Sequence, residues 1–186
     1  MKRFKKLICP LALAVLAVCS VAGATGPKLD LLVKRVECAP DYTSWRFEIA
    51  NYGAADIPLS DLEVRLWVHG AGPLEAHVWE PGVIVAADNS QTQVSGVGVT
   101  TSPMPRYIAY PPSQKADFLI SVTGQGDGVL PVGAKWQDAF FEYHFINWGP
   151  LAPMGGYTTS DQCGDASDYA SNPTVGLYYQ GQLVSE

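Results

Sequence analysis

The chain has 186 residues, 47% of them apolar and 16% charged, with 12 Lys and Arg against 18 Asp and Glu. The formal charge of −6 repels phosphate backbones and anionic bilayers, which argues against nucleic acid or a lipid surface as partner. The length suits one domain around one core.

The first element is an address. Lys2, Arg3, Lys5 and Lys6 form a basic start, and Leu7 to Val18 is an apolar run too short to span a bilayer comfortably. Ala22-Gly23-Ala24 supplies a small-x-small cleavage pattern. Residues 1–24 therefore read as a signal peptide and residues 25–186 as a secreted, extracellular domain with no membrane insertion. Lipoprotein anchoring at Cys19 is the weaker reading, because that processing prefers a small residue where Val18 stands. Loss of the four leader charges leaves eight basic residues against 18 acidic, a net charge of −10. Cys38 and Cys163 survive cleavage, an even pair in an oxidising compartment, and are expected to form a disulfide. On the chain-entropy model so long a loop is worth about 4–5 kcal/mol. Two free, buried thiols are the alternative.

Beyond the leader, segments that alternate apolar and polar residues recur between Gly, Pro, Asp and Ser breakers. The predicted strands are 29–37, 45–52, 62–69, 91–98, 118–122, 138–145 and 175–179. No window carries a helical apolar rhythm over three turns. The expected fold is all-β, an antiparallel two-sheet β-sandwich or jelly roll. Leu62, Val64, Leu66 and Val68 share the core-facing side of one strand. Glu63, Arg65, Trp67 and His69 share the other, where Trp67 either packs under a loop or forms a contact surface. Residues 86–115, with four prolines, and 149–172 read as strand ends and long irregular loops.

Short motifs recur in a telling order. Asn51 and Gly53 precede Ile57, then Leu59-Ser60, Leu62 and Arg65. Ala116-Asp117 opens a later strand, followed by Leu130-Pro131-Val132-Gly133. Asn147-Trp148, Ser167-Asp168-Tyr169-Ala170 and a closing Gly181, Leu183 and Val184 complete the set. This ordered set resembles the family 3 carbohydrate-binding modules over most of the chain after the leader. The resemblance implies a cellulose-binding β-sandwich that performs no chemistry. Its partner would be an insoluble or polymeric polysaccharide, cellulose or another β-glucan, alongside secreted glycoside hydrolases.

Such binding has a simple physical basis. A pyranose ring presents a face of C–H groups, and a flat ribbon of sugars buries those faces on a row of aromatic rings. The planar strip implied by the resemblance uses an Asp-His pair, a Tyr, an Arg and a Trp. Here the Trp is Trp148, the Arg position is Glu142, and the Asp-His pair falls at Glu80-Pro81. Tyr107, Tyr110 and Tyr157 are the nearby tyrosines. The expected sugar contacts are therefore Trp148, Glu142, Glu80, Tyr157 and Tyr107, with Trp67 and Trp79 as further aromatic candidates. The changed Arg and Asp-His positions point to a weakened or altered preference for crystalline cellulose.

The resemblance also implies a structural calcium, with Asp168 as one ligand. Ser167 replaces an expected Asn, and the facing loop, His69-Gly70-Ala71-Gly72, has no carboxylate, so the ligand set is incomplete. Two other classes compete. A small β-jelly-roll glycoside hydrolase needs facing carboxyl groups across a cleft, and Glu142 lacks an obvious partner. His69, His77 and His144 are scattered without a HExxH pattern, and no GxSxG elbow occurs, so zinc or serine hydrolysis has little support. The remaining class is a surface adhesin or structural sandwich without sugar binding.

Overall fold

The computed structural model describes residues 26–39, 41–68, 73–103, 117–148, 168–172 and 175–185. Thirteen strands and one short 3-10 turn, Leu59–Asp61, make up these residues. Two antiparallel sheets stack face to face, and the predicted sandwich is the fold observed.

The first sheet contains β1 (Leu29–Cys38), β2 (Tyr42–Asn51), β5 (Leu74–Glu80), β6 (Val83–Val85), β7 (Gln91–Gln93) and β11 (Lys135–Phe145). Its order is β1-β2-β11-β6-β7, with β5 also on β11. Strands β5 and β6 run end to end along the same edge of β11, one beside Phe140–Phe145 and the other beside Lys135–Gln137. Pro81 and Gly82 separate them. Gly82 has φ +83°, and a Cβ there would lie 2.6 Å from the Gln137 carbonyl oxygen, so only glycine fits the junction. The second sheet contains β4 (Leu62–Val68), β8 (Val97–Pro103), β9 (Phe118–Gly124), β12 (Val175–Tyr179) and β13 (Gln182–Ser185), ordered β13-β12-β4-β9-β8. A small ribbon of β3 (Ile57–Pro58) and β10 (Val129–Leu130) closes one end.

The strand period of two sends alternate residues inward. Trp45, Phe47 and Ile49 of β2 and Phe141, Tyr143 and Phe145 of β11 meet Leu62, Val64, Leu66, Ile120 and Leu177 of the second sheet in one buried cluster. Phe47 and Trp136 pack edge to face at 4.9 Å. Asn51 is fully buried and ties three segments together: its Nδ2 donates to the carbonyls of Ala55 and Leu130, and its Oδ1 accepts from Gly53 N.

Two expectations need correction. Residues 91–98 are not one strand: β7 lies in the first sheet and β8 in the second, and the chain crosses between them at Val94-Ser95-Gly96. The alternation runs on through this crossing, which hides it from a periodicity reading. Strands β5, β6 and β13 were not anticipated, because they are short or interrupted. Of the two readings of Trp67, packing is the one observed: the ring is buried beside Tyr178 on the outer side of the second sheet. Cys38 ends β1, and Cys163 lies outside the described residues, so their pairing is carried by the sequence alone.

Candidate functional site

The outer face of the first sheet is a grid set by register. With Phe141, Tyr143 and Phe145 turned into the core, β11 turns Phe140, Glu142 and His144 outward. Each has a partner on either side. Phe140 lies between Arg46 of β2 and Glu80 of β5, Glu142 between Ser44 and His77, and His144 between Tyr42 and Glu75. The side chains follow the grid. Arg46 spans the first row, its guanidinium 5.0 Å over the Phe140 ring and 2.9 Å from Glu80 Oε2. Arg46 also lies 3.7 Å from Asp138, which accepts a 3.0 Å hydrogen bond from the Tyr169 hydroxyl.

Two local irregularities bring indoles onto this grid. In β5 the register steps from Val78↔Phe141 to Glu80↔Phe140, so Trp79 has no cross-strand partner and bulges. Bulges re-aim side chains, and Trp79 is 61% exposed, 6.0 Å from the His77 ring. After β11 the chain turns back through Ile146-Asn147, with Trp148 N bonded to the Phe145 carbonyl. Trp148 takes φ +51°, an uncommon value for a bulky residue that costs on the order of 1 kcal/mol or more. The turn lays the indole flat on His144, with centroids 3.9 Å apart and planes 10° apart. His144 is left only 4% exposed, while Trp148 stays 55% exposed. His77 and His144 lie 5.9 Å apart, with planes 26° apart. Four rings thus follow one another across β5 and β11: Trp79, His77, His144 and Trp148.

The surrounding charge is mixed. The Tyr42 hydroxyl is pushed up to about 12 by a hydrogen bond with Glu37, with burial and the carboxylates of Glu37, Glu142 and Asp41 adding to the shift. Burial, followed by the bond to Asp138, raises the Tyr169 hydroxyl. Both phenols are therefore neutral hydrogen-bonding groups through the physiological range.

Of the residues expected at the site, Trp148, Glu142 and Glu80 do share this face. Glu80 is held by Arg46, and Glu142 sits in the middle row. Tyr107 and Tyr157 lie outside the described residues. Asp168 is exposed, and the facing loop that would complete a calcium site also lies outside them. Arg46, Phe140, His77 and His144 were not anticipated as site residues. The FEYHF alternation of 141–145, read back to Phe140, places the β11 members on one face. The link to β2 and β5 needs the pairing register, which the sequence does not state.

Neither a protein-family model nor a curated protein sequence matches the chain. Solved structures do. The family 3a carbohydrate-binding module from the cipA scaffolding of Clostridium thermocellum superposes with a TM-score of 0.67 at 22% identity, covering 84% of this chain and 98% of that one. The fold is that of the family 3 carbohydrate-binding modules. A family IIIa CBD from Clostridium cellulolyticum gives 0.66 at 16% identity over 86% and 98% of the two chains. A biomass-sensing module from Clostridium thermocellum, described as resembling family 3, gives 0.63 at 14% over 85% and 95%. Within this fold, several residues of the ordered sequence motifs are architectural. Asn51 holds a buried junction, Leu59 is core, and Arg65 pairs with Glu63 at 2.6 Å while stacking 3.9 Å over Tyr178.

Proposed function

We propose that the protein is an exported, non-catalytic polysaccharide-binding module that holds a neutral β-glucan, cellulose or a close relative, on the outer face of the first sheet. The observation that carries this reading is the four-ring row ending in two half-exposed indoles, flanked by the Arg46–Glu80 pair and Glu142. The rings offer apolar faces to pyranose C–H groups. The polar rows beside them offer donors and acceptors to equatorial hydroxyls. The fold shared with family 3 modules supports the same assignment.

Magnitudes favour a polymer over a short sugar. Each indole removes about 40–60 Å² of apolar surface from water, worth about 1–1.5 kcal/mol. Two supply about 2–3 kcal/mol, an affinity in the tens of millimolar for a single sugar stretch. Retention therefore needs repeated engagement along a chain, as an insoluble polysaccharide allows. The test is co-sedimentation with insoluble cellulose, xylan and chitin at low and high salt. Retention on cellulose that changes little with salt is expected, because stacking on neutral rings is poorly screened. Failure to sediment with any of the three polymers would overturn the assignment.

A further inference from the structure

We propose that Glu75, His77 and His144 form a binding site for a borderline divalent transition metal, of the Zn²⁺ class, on the outer face of the first sheet. Their ligating atoms all lie within 4.8 Å of one another, and Glu75 Oε1 is 3.5 Å from His77 Nε2. The arrangement follows from the strands. Glu75 and His77 are two residues apart on β5 and so share a face, and His144 stands directly across from Glu75 on β11. Two ligands from one strand and a third from its neighbour make a three-point site on a rigid sheet.

The donor set has the right chemistry. Two imidazoles and a carboxylate suit zinc and its neighbours, whereas calcium and magnesium take mainly oxygen ligands. A tetrahedral ion with bonds of about 2.0–2.2 Å needs donors roughly 3.3 Å apart. Glu75 is exposed and His77 half-buried, so ordinary side-chain rotation closes the gap. His144 is already oriented. Its Nδ1 donates to the Phe145 carbonyl at 2.8 Å, which in the neutral ring leaves the Nε2 lone pair for a metal. A metal-binding histidine characteristically has its second nitrogen anchored in this way. Trp148 stacks on the same ring and shields it from water. Glu142, paired with His77 across the strands, adds negative charge beside the cation. With three protein ligands, a fourth position is left for water or another oxygen donor.

An occupied site would bridge β5 to β11 and fix the ring under Trp148. It would thereby join metal binding to the face assigned above to sugar. The site itself stands on these three residues, and its test needs no glycan. Untagged protein stripped with a chelator is titrated with ZnCl₂ by calorimetry, with CaCl₂ as the control. One Zn²⁺ per chain and no calcium response at these residues are expected. His77→Ala and Glu75→Gln change exposed or half-buried side chains and keep the fold, as circular dichroism would show. His77→Ala is expected to weaken Zn²⁺ at least tenfold, and Glu75→Gln to weaken it by a smaller factor. Cu²⁺ is expected to quench the fluorescence of the two indoles beside the histidines in the parent protein and much less in His77→Ala. Absence of zinc binding, or equal zinc affinity and equal quenching in the folded His77→Ala variant, would overturn the proposal.

Discussion

Replacing Trp148 by alanine separates the two jobs of that ring. One side of the indole covers His144, and the exposed remainder is the surface assigned to sugar. The sugar-facing part is worth about 1–1.5 kcal/mol, so Trp148→Ala is expected to weaken polysaccharide binding about five- to twelvefold. The packed part shields roughly 100 Å² and contributes at most about 2.5 kcal/mol, about 1.5 kcal/mol once the apolar surface that unfolded chains already bury is allowed for. That corresponds to a melting point lower by about 3–6 °C, with the protein still folded at 25 °C. Trp79→Ala, at a bulge whose indole is more exposed, is expected to weaken binding similarly with a smaller thermal shift. Together the two changes remove both platforms and reduce binding on the order of a hundredfold. The assay is a depletion isotherm on insoluble cellulose at 25 °C, at low and high salt, beside a thermal melt. A folded double variant that binds as the parent does would refute the assignment of this face. Loss of binding only at high salt would show charge, not stacking, to be the main attraction.

Two further outcomes concern stability. Burial alone would raise the Glu63 carboxyl, but hydrogen bonds from Arg65 and Ser121, each 2.6 Å, outweigh it and hold the group below its ordinary 4.5. A depressed folded value gives stability that is complete above about pH 4.5 and is lost as pH falls through the folded value. Glu63→Gln is therefore expected to be less stable at pH 7 but to lose less between pH 5 and pH 3, and parallel urea midpoints across that range would contradict this. Asn51→Ala strands the carbonyls of Ala55 and Leu130 and the Gly53 N–H, and is expected to cost about 2–4 kcal/mol in urea unfolding, with binding by the folded fraction unchanged.

Much of this protein is legible in its sequence. The alternation of Leu62, Val64, Leu66 and Val68 marks the core-facing side of one strand, and all four are buried. Period-two patterning is a local property, since it follows from the pleat of a single strand, and so sequence alone carries it. The ordered motifs pointed to the family 3 architecture for a related reason. Asn51 ties a buried junction, Leu59 is core, and Arg65 pairs with Glu63, so motif residues of this chain hold its sandwich together.

Tertiary structure decided which residues share the face proposed for binding. Trp148 was singled out from its motif, yet its stacking on His144 depends on a turn with a left-handed residue. His77 and His144 are 67 positions apart, and nothing in either neighbourhood joins them. Only the β5–β11 register does so, and that register depends on a bulge at Trp79. Pairing register is a long-range property, fixed by which faces are buried and by where the chain carries an extra residue. The replacement of the expected arginine by Glu142 follows the same logic. A guanidinium still reaches this face from Arg46, one strand away, where no reading along the chain would look for it.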